Sequence, residues 1–133
     1  MTDGLRRLGF EPDCCVDLSA ETLAGARTEG SAENEERLVE YLRQGCVLAA
    51  GAGLAEDDLL DPNVRRVTSQ DLLTDGHWLW DAALPYYVAK YHVRLQEEFV
   101  RDAEARGFIP PDLTHVQLVE ISEMFFEQFR PFG

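Results

Sequence analysis

Apolar and polar residues alternate most clearly near the middle of the chain, where two tryptophans lie two residues apart. His77-Trp-Leu-Trp80 has the period-two pattern of a β-strand, which places both indoles on one face. Thr74-Asp-Gly76 comes just before it and favours a chain reversal, because Asp bonds its own backbone and Gly adopts positive φ. The sequence therefore predicts a hairpin whose second strand buries Trp78 and Trp80 in the core. A surface on which the indoles stack against a ligand is the less favoured alternative.

A helical period of apolar residues marks an amphipathic helix that begins near Ser31. Acidic residues crowd its first turn, where they suit the helix dipole. Leu38, Tyr41 and Leu42 then recur at helical spacing before Gly45 ends the helix. Because the arginines of this segment offset the acids only in part, we expect its outer face to be negatively charged.

Two more helices are predicted after the tryptophan strand. Asp81 is the expected N-cap of the first, whose apolar face includes Tyr87. The second buries Phe99, and Glu97 and Arg101 stand one turn apart on its surface, where opposite charges attract. Each helix thus has one apolar face to offer to the core.

The last predicted helix covers residues 112–130. It opens with Thr114 and Gln117 at the spacing of a capping box, and it carries several apolar residues, among them Phe125. The apolar surface is wide enough to be buried on more than one side. We expect this helix either to run through the centre of the core or, as the less favoured alternative, to make a dimer contact.

The pattern is weaker in the rest of the chain. Residues 5–10 suit a short helical turn, residues 14–18 a strand with a buried cysteine, and residues 19–30 a short helix or a surface loop. Residues 46–50 form an apolar run between glycines, which predicts an internal strand. Residues 64–67 are predicted to be extended.

Size and composition suit one folded domain. The chain has 133 residues, of which 45% are hydrophobic, and this is enough for one core without a metal or a disulfide. We therefore predict a single α+β domain over residues 1–133, with a small, mainly antiparallel sheet of about three to five strands packed by several helices. The tryptophan strand and the long C-terminal helix are expected at its centre. The predicted core residues are Trp78, Trp80, Tyr87, Phe99 and Phe125.

Acidic charge bears most directly on function. The formal net charge is −13, and residues 1–62 hold most of it, with 14 acidic and 5 basic side chains. Such a field repels nucleic-acid phosphates and anionic membranes and attracts basic proteins, although negative charge also serves solubility alone. We expect a basic protein partner rather than nucleic acid or a membrane. The candidate partner-binding residues are Glu33, Glu35, Glu36, Asp57, Asp58 and Asp61.

Motifs of catalysis, metal binding and cofactor binding are not recognisable in the sequence. The histidines His77, His92 and His115 are isolated, and neither a Gly-x-Ser-x-Gly elbow nor a Walker phosphate loop occurs. The glycines at positions 51 and 53 are followed by Glu56 where a dinucleotide-binding loop needs a third glycine. We therefore expect no catalytic residue, no metal and no cofactor.

Cysteine usage and hydropathy indicate the compartment. Cys14 and Cys15 are adjacent and Cys46 stands alone, so they neither complete a disulfide framework nor have the paired spacing of a zinc site. The N-terminus lacks the apolar run of a signal peptide, and no stretch approaches the roughly 18 apolar residues of a membrane span. We therefore expect reduced thiols in a cytoplasmic protein.

A pattern across residues 59–107 resembles small actinobacterial proteins that serve as immunity partners of polymorphic toxins. It comprises Thr74-Asp-Gly-x-Trp78-x-Trp80, Leu84-x-Tyr-Tyr-Val88 and Tyr91-x-Val93-x-Leu95-x-x-Glu98-Phe99. Asp81 and Gln96 occupy two sites where that pattern has proline. Because most matching residues are turn and core positions, the resemblance concerns the fold more than the target. It implies a stoichiometric inhibitor that occludes a toxin's active site inside the producing cell, without turnover and without a catalytic residue of its own.

Two other functions stay open. An acidic regulatory or scaffold module would bind a different basic protein through the same charge, and a small enzyme would use a site that no motif reveals. A toxin-like reading frame beside the gene would favour the immunity hypothesis over the scaffold. A pocket of convergent titratable groups with shifted pKa values would favour the enzyme.

Overall fold

A small sheet and several helices make up the part of the chain that the structure describes. The structure is a computed structural model, and it describes residues 6–11, 18–29, 34–49, 55–69 and 71–128. Its strands are β1 (Arg6–Arg7), β2 (Cys46–Ala49), β3 (Ala55–Glu56), β4 (Thr68–Ser69), β5 (Leu72–Thr74) and β6 (Trp78–Asp81). Its helices are α1 (Ala20–Ala26), α2 (Glu35–Arg43), α3 (Leu84–Tyr91), α4 (Glu97–Ala105) and α5 (His115–Gln128). The predicted α+β class is confirmed.

The main sheet has the strand order β1-β6-β5-β2, and β3 and β4 form a separate antiparallel pair. β5 and β6 are antiparallel and joined by the predicted turn, where Gly76 has a φ of 97°. One Asp75 carboxylate oxygen accepts hydrogen bonds from the backbone N–H groups of His77 and Trp78, at 2.9 and 2.8 Å. The predicted hairpin is therefore confirmed, and it uses Asp and Gly for the reasons that the sequence indicated.

The N-terminal segment differs from the prediction. Residues 5–10 suited a helical turn, but Arg6 and Arg7 form a strand that pairs in parallel with β6. The backbone N–H of Leu8 donates to the carbonyl of Leu79 at 2.9 Å, and the side chains of Leu8 and Phe10 are buried. The helical turn is wrong because a distant strand supplies backbone partners that local spacing does not reveal.

The core is built on the two indoles of β6. Trp78 and Trp80 are buried, and both pack edge-on against Phe99 of α4, with ring centroids 5.5 and 5.6 Å apart. Tyr41 of α2 packs on the same phenylalanine at 5.8 Å. The Trp80 indole N–H donates to the carbonyl of Leu42 at 3.1 Å, so a buried polar group of the tryptophan is satisfied. One shared face for the two indoles, as the strand pattern predicted, therefore holds α2 and α4 against the sheet.

One predicted strand and one predicted extended segment differ from the structure. The run at residues 46–50 was expected to be internal, but β2 is the outermost strand of the main sheet and Val47 is 55% exposed. Apolar runs mark a covered strand only where something packs on both faces. Residues 64–67 form no strand in the described structure, and β4 begins only at Thr68, after Arg66 adopts a φ of 53°.

α3 and α4 follow the sequence closely except at one cap. Asp81 ends β6 instead of capping α3, whose N-cap is Ala83 and makes no side-chain cap hydrogen bond. On α4, Arg101 donates to Glu97 at 2.8 Å, as the one-turn spacing predicted. Gly107 takes the positive φ of 66° that stops this helix.

α5 has the predicted start but not the predicted position. The backbone N–H groups of Thr114 and Gln117 each bond the other residue's side chain, at 2.9 and 3.1 Å, which confirms the capping box. Val116 is nevertheless 65% exposed, and Ile121 is the buried side chain of this helix among those described. Phe125, expected in the core, is half-buried and lies outside the core cluster. The helix lies beside β2 at the edge because aromatic groups from α2, α4 and β6 already fill the centre.

Candidate functional site

The six acids predicted to bind a partner fall into three groups. Glu36 and Asp57 are exposed and Asp61 is half-exposed. Asp58 was expected at the surface with them, but it is buried among protein donors. Glu35 is largely covered, and Glu33 lies outside the described residues. Only part of the predicted acidic surface is therefore open to a partner.

Asp58 is the centre of a polar network with α3. One carboxylate oxygen accepts hydrogen bonds from Tyr86 and Tyr91 hydroxyls at 2.6 and 2.8 Å and from the Lys90 ammonium at 3.3 Å. The other oxygen accepts from the backbone N–H groups of residues 60 and 61 at 2.7 and 3.0 Å. The side chain is 0% exposed. Asp58, Tyr86, Lys90 and Tyr91 are called the Asp58 cluster below.

Helical spacing explains why these partners meet. Tyr86 and Lys90 stand four residues apart on α3, and the Lys90 ammonium also donates to the Tyr86 hydroxyl at 3.0 Å. Tyr87 serves the same loop differently, because its hydroxyl accepts from the backbone N–H of Leu59 at 2.9 Å. The apolar pattern of this helix predicted packing for Tyr87 and indicated no polar role for the tyrosines. The available signal was that a buried tyrosine hydroxyl needs a polar partner.

The pKa values of the residues in the Asp58 cluster are shifted from their ordinary values. Burial alone raises the pKa of Asp58, but the hydrogen bonds that it accepts, those from Tyr86 and Tyr91 first among them, together outweigh burial and lower the pKa to about 2. Burial and the bond to Asp58 raise the pKa of both tyrosines, and the bond to Tyr86 raises the pKa of Lys90. Each shift moves the pKa further from neutral pH, whereas general acid–base catalysis works best with a pKa near the working pH. The cluster is built to hold the loop against α3.

Glu35 is anchored to the same end of α3. The Nδ1 atom of His92 lies 2.8 and 3.0 Å from the two carboxylate oxygens of Glu35. His92 ends the helix in the left-handed region, with a φ of 56°, and its carbonyl accepts from the hydroxyl of Thr28 at 2.8 Å. His92 follows Tyr91 directly in the chain. Glu35 and Asp58 therefore contact adjacent residues at the end of α3, and both serve as internal anchors.

A second buried aspartate supports the hairpin. The Oδ2 atom of Asp75 accepts a hydrogen bond from the Tyr41 hydroxyl at 2.6 Å and lies 3.5 Å from the Arg106 guanidinium. Burial, and then the bond to Asp75, raise the pKa of Tyr41. The other oxygen of Asp75 accepts hydrogen bonds from backbone N–H groups of the turn. Both oxygens of this carboxylate therefore have partners inside the fold.

An open cavity lies where β6 ends and α3 begins. It has a volume of about 210 Å³. It is lined by Leu18, Glu56, Leu59, Thr68, Ser69, Asp81, Ala83 and Tyr87, and it is called the Asp81 cavity below. Burial raises the pKa of Asp81, Arg7 opposes that rise, and Glu56 adds to it. Within the described residues the Asp81 carboxylate accepts no hydrogen bond and forms no ion pair.

The other candidate groups are scattered. His77 and His115 are exposed, and Cys46 is a half-buried free thiol, while Cys14 and Cys15 lie outside the described residues. Across the described ranges, no three His, Cys, Asp or Glu residues come together in a way that would hold a metal ion. The helices seen in those ranges are too short or too polar to cross a bilayer. Comparison with protein-family models, curated proteins and solved structures found no match.

Proposed function

We propose that this protein is a cytoplasmic immunity-type inhibitor, which binds a basic toxin and blocks its active site without turnover. The observation that carries the proposal is a strongly negative chain with exposed or half-exposed carboxylates that take part in no ion pair within the described residues. Glu36, Asp57 and Asp61 form no ion pair within the described part of the chain, and the formal net charge is −13. Such a surface steers a basic protein toward it and disfavours nucleic acid and anionic membranes.

The loop that carries two of these acids is held in place before any partner arrives. Asp57 and Asp61 flank the buried Asp58, whose five hydrogen bonds fix the loop on α3. Their own carboxylates accept from the backbone N–H groups of Arg66 and Asn63, at 3.1 Å each. A preorganised loop loses little entropy on binding, so its charges act at full effect in a complex. Asp58 thus serves as a positioning residue for the exposed acids.

A regulatory or scaffold module that binds another basic protein would use the same surface. If a toxin-like protein is encoded beside the gene, the test is the rate at which it associates with this protein, measured at two ionic strengths. We expect changing Asp57 and Asp61 to Asn to slow association by about three- to tenfold at low salt and to flatten its salt dependence. Dissociation should change less, since rim charges act mainly on encounter.

A matched control removes the same net charge elsewhere. Glu104 of α4 and Glu120 of α5 are exposed, and changing both to Gln lowers the negative charge by the same two units. If this pair slows association as much as the loop pair, the acidity acts only through net charge. If neither pair changes the rates, the acidity serves solubility and the binding surface lies elsewhere. Failure to form any complex with the neighbouring toxin would refute the immunity proposal itself.

One observation favours a small enzyme as a second candidate function. Asp81 lines an open cavity with Glu56, and the pKa of Asp81 is raised by burial, as is common for carboxylates that act as general acids. Reproducible turnover in a hydrolase screen that is abolished by Asp81→Asn would establish this function. Turnover that survives the substitution would come from another site or from a contaminant.

A further inference from the structure

Exposed apolar side chains concentrate at one edge of the described structure. Five large apolar side chains are exposed among its residues. Three of them, Ile109, Val116 and Val119, lie on α5 or shortly before it, and Val47 lies on β2, which α5 contacts. Single exposed apolar residues are normal on a protein surface, whereas a group of them on neighbouring elements marks an interaction site. This edge is therefore a candidate contact with another protein.

Helical spacing gives α5 two different sides. Ile121 is buried against the rest of the chain. Val116, Val119, Glu120 and Glu123 have the spacing of a single helix face, and all four are exposed. These four residues are called the outer stripe below. The outer stripe thus combines apolar and acidic side chains on one face.

The two valines of the outer stripe are not explained by the stability of the helix. β-branched side chains lose rotamers in a helix and favour it less than Ala or Glu does. Val116 is 65% exposed and Val119 is 42% exposed, so burial within the chain recovers only part of that cost. Helix positions that serve stability at a surface are best filled by Ala, Glu or Lys. An apolar contact with a partner would cover both valines and supply the missing burial.

The charge of the outer stripe restricts what can cover it. Glu120 and Glu123 form no ion pair with any residue that the structure describes, and the segment 107–128 contains neither Lys nor Arg. A complementary surface therefore carries positive charge beside its apolar residues. A second copy of this chain does not fit, because it has the same stripe and the same formal net charge of −13.

We propose that the outer stripe of α5 binds an amphipathic helix of a basic protein partner. Apolar residues of that helix cover Val116 and Val119, and its lysines or arginines pair with Glu120 and Glu123. A helix suits this face because side chains three and four residues apart form the ridges and grooves through which two helices pack. The identity of the partner rests on the proposed function, whereas the binding of a basic helix does not.

A synthetic helix tests the chemistry directly. The probe is a hydrocarbon-stapled peptide with one leucine stripe flanked by lysines, and it is titrated into the full ¹⁵N-labelled chain. One control peptide has glutamates in place of the lysines, and another has serines in place of the leucines. We expect saturable amide shifts over residues 115–123, with a Kd on the order of 10–100 μM, and weaker binding of both control peptides. Absence of binding, or shifts that do not saturate over this segment, would overturn the proposal.

Replacing the valines tests the apolar contact without changing charge. The double variant Val116→Ser and Val119→Ser should bind the probe about tenfold more weakly, because it removes the apolar surface that the leucines cover. Ser and Val have similar helix propensities, so the circular dichroism spectrum and the melting temperature should match those of the wild type. Wild-type affinity in this double-serine variant would overturn the proposal.

Replacing the glutamates gives a second, independent test. Glu120→Gln with Glu123→Gln should weaken probe binding and reduce its dependence on salt. The charge-matched control is Glu21→Gln with Glu104→Gln, which changes exposed acids of α1 and α4 and should alter the Kd by less than about twofold. Equal losses in the two pairs would mean that the probe responds only to net charge, and they would overturn the assignment to α5.

Two further measurements identify the occupant. In sedimentation equilibrium we expect a monomer, and self-association that the double-serine variant abolishes would make a second copy the occupant and overturn the partner assignment. In a toxin complex, Glu120→Gln should weaken binding and Glu104→Gln should not, which separates the effects of these two acids. A toxin that binds the double-serine variant with unchanged affinity would remove α5 from the interface and leave the inhibitor function standing. Probe binding at α5 without any toxin complex would leave the basic-helix site standing and remove the proposed function.

Discussion

Asp58 shows how one residue organises a whole loop. It receives five hydrogen bonds, two from the backbone of its own loop and three from side chains of α3. Hydrogen bonds to a charged group are stronger than those between neutral groups, and a buried donor left without its acceptor is costly. The carboxylate therefore holds residues 58–61 and α3 together as a unit.

Replacing this carboxylate should have a large effect on stability. We expect Asp58→Asn to lower the free energy of unfolding by about 2–4 kcal/mol, because the amide removes the charge and turns an N–H₂ group toward existing donors. Urea unfolding measures this. Asp57→Asn is the control, since that exposed side chain keeps its acceptor oxygen and should change stability by no more than about 0.5 kcal/mol. Equal midpoints for both variants would contradict the anchoring role.

The same residue predicts an acid-sensitive stability. Because the pKa of Asp58 falls from 3.8 to about 2 on folding, its contribution is complete above the unfolded value and is lost as the pH falls through the folded value. The stability gap between wild type and Asp58→Asn should therefore narrow from pH 4 to pH 2. Unfolding free energies measured at several acidic pH values check this. A gap that stays constant over this window would show that the carboxylate is not the titrating anchor.

These residue roles could be predicted only in part. The sequence presents Asp57, Asp58 and Asp61 as equivalent members of an acidic loop. What separates Asp58 from the others is its contact with Tyr86 and Tyr91, which lie 28 and 33 residues away along the chain. Contacts of that range depend on the packing of α3 and not on local spacing.

At the scale of elements, β6 is the structural centre. Both indoles pack on Phe99, and large-to-small changes in a tightly packed core leave a cavity that neighbours fill only partly. We expect Trp78→Ala or Trp80→Ala to lower the free energy of unfolding by about 3–5 kcal/mol, as measured by denaturant melts. Val47→Ala on the exposed edge strand is the control. Wild-type midpoints combined with loss of a partner would instead make the indoles a binding surface.

α5 should contribute unequally along its length. Val116 is 65% exposed and Val119 is 42% exposed, whereas Ile121 is buried. We expect Ile121→Ala to destabilise by about 2 kcal/mol and Val116→Ala by less than about 0.5 kcal/mol. Thermal or urea melts distinguish the two. Equal losses would mean that the helix is packed on both sides, as the width of its apolar surface predicted.

Local sequence signals predicted which helices and strands form better than they predicted where these elements lie in the fold. Turn chemistry located the β5–β6 hairpin, and helical spacing located α2, α3, α4 and the capping box of α5. β1 and the edge position of β2 were missed, because strand order depends on partners far away in the chain. Asp81 illustrates the same limit. An Asp before a helix suits a cap, but Asp81 is the last residue of β6, and α3 begins only at Leu84.

At the scale of the whole molecule, ion pairs and side-chain hydrogen bonds join the acidic first half to the second half. Glu35 pairs with His92, Asp58 with Lys90 and Arg6 with Glu98. Glu35 and Asp58, which the fold uses in this way, are covered and not available to a partner, and the exposed acids define the outward charge. Net charge along the sequence therefore indicates the sign of a partner but not the surface that meets it.

The Asp81 cavity could not be predicted from the sequence. Its acids, Glu56 and Asp81, come from different sheets, and its hydroxyl groups come from β4. None of these residues belongs to a motif with fixed spacing. Only the assembled fold shows that a carboxylate with no hydrogen-bond donor among the described residues lines an open cavity.

The parallel pairing of β1 with β6 also has a kinetic consequence. It joins Arg6 to Trp78, so it closes a loop of about 70 residues, whereas the β5–β6 turn joins residues only a few positions apart. Contacts of such long range form late in folding as a rule. We expect Leu73→Ala on β5 to slow refolding and Leu8→Ala, beside β1, mainly to speed unfolding, which chevron measurements separate. β1 would then join a sheet that has already formed, and its detachment from β6 would be the first step of unfolding.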